Sequence, residues 1–539
     1  ITLQEYGLED RVREINLAAV RIAKEAIAEC GAGKDKVLVA GSVGPTSLLP
    51  SLDKTDFDYM AGAYIEQFEA LTDAGIDILQ IETCQDLLQI KSALFAAQKV
   101  FENKKKRCAV VVSVTPEANG KILVGSDLGA VVAVLEPYDF IDALGINCST
   151  GPLEMVRHVL KLAEIWKKPL SVMPNAGLPE NVNGKPFYRM TPDEFAEFQV
   201  KFVKEMGVNI VGGCCGTTPA HMRRVVELLK DVKPMKRSVE DKARVAGLFG
   251  AVDLKQEPAP TLIGERTNAI GDKKFKELLQ REDFEGMVKM GKEQAKGGAH
   301  MIDLCVAYAG RNEVADMQKL AKMFALQVNL PLVIESTNFE SVKAALRLHC
   351  GRCVVNSVNL EKGEARLKEI AQEAHRFGAS LICLTIDESG MAKTAAKKLE
   401  IALRMRDILC KEIGFREKDL IFDPLTFTVA SGDEALRGAA AETLAAIKLI
   451  AEAMPDANTV LGVSNVSFGL KEEPREILNS VFLAEAVKNG LSCAIVNPSR
   501  IMPMFSVADE KRDAALDLIF NKKGDGSDLR AYIGTFQGQ

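Results

Sequence analysis

Histidine is scarce in this chain, with five in 539 residues, and long apolar runs are missing. No stretch approaches the roughly 20 apolar residues of a membrane helix, so a spanning protein is not expected. No charged-then-apolar leader opens the sequence, and twelve cysteines are too few for a disulfide scaffold. Reduced thiols in a cytoplasm are therefore expected. The formal charge of −6 carries no basic excess, so neither nucleic acid nor an anionic membrane is an expected partner. The first residue is Ile1, not methionine, and both ends read as cut, with 521–539 trailing toward a further module.

What is present is an alternation of short apolar runs with amphipathic helical stretches, the pattern of parallel strands with helical crossovers. A helix is expected over 10–28. In the first half the strand candidates are 36–41, 76–82, 108–114, 143–147, 170–173 and 209–211. Six strands fall two short of a closed (β/α)8 barrel. Residues 230–260 are charged and proline-bearing and read as a linker, with a short helix expected around 239–248. The second half carries eight candidates: 261–264, 301–304, 332–335, 353–357, 381–386, 420–422, 459–463 and 494–496. The expected fold class is α/β, two TIM barrels in tandem, the first lacking its first two βα units. The expected divisions are 1–229, 230–260, 261–520 and 521–539.

Three cysteines stand at expected strand ends. Cys148 follows one apolar run, and the adjacent Cys214 and Cys215 follow another, flanked by Gly212, Gly213 and Gly216. Adjacent side chains point apart unless the backbone turns sharply, which those glycines permit. A lone cysteine is more often a buried packing residue. Three at the catalytic end of a barrel read instead as an all-sulfur zinc site with one open position. Such a site suits binding and ionising a substrate thiol better than generating hydroxide. No histidine lies in these loops, and His158 and His221 read as surface or packing residues. Glu82 ends a strand, where it could hold a substrate ammonium group or cap the next helix.

The second half has no metal constellation. Its strand ends carry Glu265, Asn268, Asp303, Glu335, Asn356, Asp387, Asp423 and Asn465. Any one could be a helix cap, but a set of carboxylates and amides in one barrel mouth suits a flat heterocycle such as a pterin. Cys350-Gly-Arg-Cys353 looks like a redox or zinc half-site, but it precedes a strand and so belongs to the stability face.

These stretches carry a resemblance. Gly145-Ile-Asn-Cys-Ser-Thr-Gly-Pro152 and Gly212-Gly-Cys-Cys-Gly-Thr-Thr-Pro219 look like the zinc motifs of homocysteine methyltransferases. Gly264-Glu-Arg-Thr-Asn268, Val355-Asn-Ser-Val-Asn359, Phe422-Asp-Pro424 and Gly462-Val-Ser-Asn-Val-Ser-Phe-Gly469 look like pterin-binding motifs. Over nearly its whole length the chain resembles the homocysteine- and folate-binding barrels of cobalamin-dependent methionine synthases. The resemblance implies zinc on Cys148, Cys214 and Cys215, with homocysteine sulfur in the open position and Glu82 near its amino group. It implies 5-methyltetrahydrofolate held by Glu265, Asn268, Asp423 and Asn465, with Asn356 beside them. It also implies a separate cobalamin-binding module that shuttles the methyl group between the barrels. Three departures stand out. The family's Asp-Gly-Ala-x-Gly-Thr and Thr-Asn-Thr-Phe strands do not occur, matching the two strands not counted. Glu335 stands where the family often has Asp. No Asp-x-His-x-x-Gly cobalamin loop occurs, so the chain is not expected to complete the cycle alone. The competing readings are a cobalamin-free homocysteine methyltransferase fused to a pterin barrel, and a catalytically incomplete folate- and zinc-binding fragment.

Overall fold

The computed structural model describes residues 1–31, 37–52 and 54–536. The chain divides into two compact units: 1–241 with 248–250, and 242–247 with 251 onward.

In the first unit, β1 (Ala40–Val43), β2 (Ile78–Cys84), β3 (Ala109–Val114), β4 (Ala143–Asn147), β5 (Leu170–Met173) and a two-residue strand at Ile210–Val211 form one parallel sheet in chain order. Strand β3 is Ala-Val-Val-Val-Ser-Val and β4 is buried at every residue, as expected where helices cover both faces. Four of the five crossover helices start on side-chain caps: Asp56, Asp86, Asp127 and Thr191 each accept a backbone N–H of the first turn. The expected strand at 36–41 begins instead at Ala40, and Lys36 lies outside the described residues. The first helix runs Val12–Glu29. A small antiparallel hairpin, β6 (Glu180–Val182) with β7 (Lys185–Phe187), stands exposed between β5 and the last strand, β8 (Ile210–Val211). No described helix is long and apolar enough to cross a membrane.

The linker differs from expectation. In place of a helix around 239–248 there is an antiparallel hairpin, β9 (Arg244–Ala246) with β10 (Ala251–Asp253). Gly247 and Gly250 make a helix costly here, and burial rewards the strand form. Val245 and Leu254 are fully buried against Ile263, Met301, Val333, Val354, Ile382, Ile421, Val460 and Cys493, which lie at or near the starts of the barrel strands. The hairpin thus plugs the barrel's N-terminal end.

That barrel is closed: β11 (Thr261–Gly264), β12 (Met301–Leu304), β13 (Leu332–Glu335), β14 (Val354–Val358) and β15 (Ser380–Leu384) are followed by strands at Leu420–Asp423, Asn458–Gly462 and Cys493–Val496, the last pairing with β11. The strand expected over 381–386 stops at Leu384. Ile386–Asp387 (β16) pairs instead with Gly390–Met391 (β17) in a hairpin outside the barrel.

The Cys350–Cys353 stretch is a seam on the plugged end. A Cβ on Gly351 would lie 2.0 Å from the carbonyl oxygen of Ala246, so only glycine allows the hairpin this close. Ala246 and Arg352 exchange backbone hydrogen bonds of 2.9 and 2.8 Å. The buried Arg352 guanidinium donates to the carbonyls of Gly378 and Arg244 and pairs with Asp419 at 2.7 Å. Cys350 and Cys353 are buried beside it.

Candidate functional site

Two groups of side chains lie at strand ends, one in each unit. In the first, β4 ends on the fully buried Asn147, whose amide accepts the Thr83 N–H at 3.0 Å and donates to Thr83 Oγ1 at 2.8 Å. This ties the ends of β2 and β4 together. The next two residues, Cys148 and Ser149, take left-handed backbone angles (φ 61° and 63°), turning the chain sharply out of the strand. After β8, the chain turns again. The Cys214 N–H donates to the Pro174 carbonyl at 2.8 Å, and the Cys215 N–H to Asn175 Oδ1 at 3.0 Å. Thr217 Oγ1 closes the loop on the Cys214 carbonyl at 2.7 Å. Gly213 and Gly216 have no room for a side chain: an added Cβ would lie 2.4 Å from Thr217 and 2.2 Å from the Tyr188 ring. Gly216 also has φ +79°.

The outcome is three convergent sulfurs. Cys148 Sγ is 3.8 Å from Cys215 Sγ, Cys214 Sγ is 4.0 Å from Cys215 Sγ, and all three lie within 4.8 Å of one another. Thiolates held at 2.3 Å from a tetrahedral zinc are about 3.8 Å apart, the edge of that tetrahedron. A vicinal disulfide does not form, since its sulfurs would be about 2.05 Å apart. The hydrogen bond from Cys214 draws the Cys148 thiol down to about 5, while that same bond, then burial, pushes Cys214 up.

Glu82 lies in β2 and accepts a 2.5 Å hydrogen bond from Ser42 Oγ. It does not cap the following helix, because Asp86 does. His158 and His221 are buried, and His221 braces the Thr218 cap and meets the Met190 carbonyl. Sequence reasoning missed Asn175, which is 3% exposed and sits two residues after β5, and Tyr188, which covers Gly216. A polar residue just past a strand end was a usable signal for Asn175. Nothing local marked Tyr188.

In the second unit, a cavity of about 1370 Å³ is lined by Glu265, Asn268, Asp303, Glu335, Asn356, Asp423 and Asn465. Both Glu265 oxygens accept from Ser464 Oγ, at 3.0 and 2.9 Å. Asn268 donates through one nitrogen to Asp303 (3.0 Å) and Glu335 (2.9 Å). Burial, then the neighbouring Glu335, holds Asp303 well above the usual carboxylate range, and burial raises Glu335 too. The extra methylene of glutamate at 335 thus reaches into an amide-bridged acid pair. One oxygen of Asp303, a residue lining the cavity, is buried with no hydrogen-bond partner among the described residues. Burial pushes Asp423 up to about 6 against the Leu425 N–H bond at 2.8 Å. Asn465 stands exposed in the mouth on the short turn Val463–Ser467. Asp387 is not brought to this cavity. It sits in the β16–β17 hairpin, where Ser389 and then Lys397, at 3.0 Å, pull its carboxyl down to about 2.

Sequence comparison reaches both units. Residues 1–229 match the family model described as homocysteine S-methyltransferase, and residues 264–497 match the one described as pterin binding enzyme. The chain is 40% identical over 540 residues to methionine synthase of Mycobacterium tuberculosis, covering 99% of this chain and 45% of that protein. It is 40% identical over 545 residues to the Mycobacterium leprae methionine synthase, with the same coverage. The chain thus spans less than half the length of these curated relatives. Among solved structures, the apo homocysteine methyltransferase MmuM from Escherichia coli is 28% identical over 41% of this chain and 74% of its own, with a TM-score of 0.32.

Proposed function

We propose that this chain supplies the homocysteine and folate modules of a cobalamin-dependent methionine synthase acting in a cytoplasm. The methyl group of 5-methyltetrahydrofolate ends on the sulfur of homocysteine, giving methionine and tetrahydrofolate. The six-stranded sheet is read as six βα units of a TIM barrel in tandem with the closed one. Residues 1–229 take homocysteine, 261–520 take folate, and 230–260 join them. The observation that carries this reading is the sulfur spacing of 3.8 and 4.0 Å among Cys148, Cys214 and Cys215.

Those three cysteines are the ligands we assign to zinc. Bound there, zinc keeps a substrate thiol ionised at neutral pH and leaves it nucleophilic. Glu82, two residues before the end of β2, takes the substrate ammonium group. Asn175 and the left-handed turn at Cys148 hold the sulfurs in place before any substrate arrives. In the barrel, Asp423, Asp303, Glu335 and Glu265 offer acceptors, and Asn268 and Asn356 offer amides, to the edge of a pterin. Asp423 and Asn465 are assigned beside its reacting end. Asp387, tied up with Lys397, is left out. The relatives are about twice as long as this chain, which leaves room for a cobalamin-binding module outside these residues.

Zinc content, a folate titration and methyl transfer from methyltetrahydrofolate to free cob(I)alamin together test the reading. Stoichiometric zinc with turnover supports it. Folate binding without turnover would reduce the chain to a binding module.

A further inference from the structure

One buried cation has no part in the reading above. Lys398 lies in the helix Ala395–Asp407 and is 0% exposed. Its ammonium group donates to the carbonyl of Pro424, to the carbonyl of Leu425 at 3.1 Å, and to Thr443 Oγ1 at 2.8 Å. Thr443 Oγ1 in turn donates to the Leu425 carbonyl at 2.8 Å. Leu425 has φ +63°, a conformation that a leucine adopts only under restraint, and its N–H closes on Asp423 Oδ1 at 2.8 Å. An ammonium has three donors, and all three are used here.

We propose that Lys398 is the positioning residue of the folate site: it clamps the Asp423-Pro424-Leu425 turn from behind and presents Asp423 to the cavity as a charged acceptor. This rests on the folate reading above. A tether alone does not need a charge. Burying an ammonium costs several kcal/mol, and a methionine would fill the same space without that cost. The charged groups that face Lys398 are Asp423 and Glu442, the latter held by the Ala395 N–H at 2.6 Å, and the Phe427 ring lies 5.2 Å away. Burial lowers Lys398 to about 8, against the pull of both carboxylates. The positive charge in turn opposes the burial that raises Asp423, so its removal carries Asp423 higher still.

The test is the affinity of the full chain for 5-methyltetrahydrofolate, titrated from about pH 5 to about pH 8. The wild type is expected to lose affinity below about pH 6, where Asp423 takes up a proton. Lys398→Met is expected to move that acid limb upward by about one pH unit, weakening binding about tenfold at pH 5 and about twofold at pH 7. Lys398→Arg keeps the charge and is expected to keep the limb in place. An unmoved limb in Lys398→Met, or an equal loss at every pH, overturns the proposal and leaves the folate reading standing. A wild type that binds no folate at any pH overturns the folate reading itself. Should Lys398→Met fail to fold, Thr443→Val removes one of the three acceptors and is expected to weaken folate binding about threefold or more. An unchanged affinity there overturns the proposal.

Discussion

The thiol cluster and the barrel mouth solve opposite problems. The cluster gathers three sulfurs within 4.8 Å of one another, in turns that Gly213, Gly216 and the left-handed backbone at Cys148 allow. The mouth buries carboxylates whose acidity is suppressed: Asn268 bridges Asp303 and Glu335, and Lys398 stands behind the turn that follows Asp423. One site is built by backbone torsion within two short loops. The other is built by side chains contributed one or two at a time from many strands. Perturbations should therefore separate cleanly between them.

The largest expected effect is on the cluster. Cys214→Ser should lower zinc affinity by more than the roughly 10–100-fold that loss of a supporting residue costs, with folate affinity unchanged. Metal analysis beside a folate titration checks it, and parallel loss of both ligands would break the comparison. Next, Asp423→Asn should weaken folate binding by about 1 to 3 kcal/mol with full zinc content, since a buried charged acceptor is lost. Smaller again is the effect of pH. Asp423 is ionised above about 6, so folate affinity should hold at neutrality and fall as pH drops through that value. A pH series of titrations reads this directly, and affinity that rises on acidification would reverse the assigned role. The smallest effect sharpens the boundary of the mouth: Asp387→Asn should change folate affinity by less than about 0.5 kcal/mol, because its carboxylate belongs to Lys397.

The contrast also explains what could be read from residue order. The convergence of the cysteines was legible because Cys214 and Cys215 are flanked by the glycines that make the turn possible, so motif and geometry coincide within a few residues. The barrel was legible because its strands are short apolar runs, each with a polar residue within two positions of its C-terminal end. Asp387 misled for that same reason: it ends an apolar run, yet the strand stops at Leu384 and a hairpin carries the aspartate away. The β9–β10 hairpin was hidden by its charged and proline-bearing setting, and its reason for existing, the open end of a barrel, is nowhere local. Asn175, Tyr188 and Lys398 act across gaps of tens of residues, or through backbone carbonyls, and neither leaves a periodic trace.

The most direct test is X-ray absorption at the zinc edge of the metal-loaded chain. The account predicts one zinc per chain with three sulfur neighbours at about 2.3 Å, and a fourth when homocysteine is added. Zinc surrounded by oxygen and nitrogen alone, or a chain that retains no zinc, would contradict it.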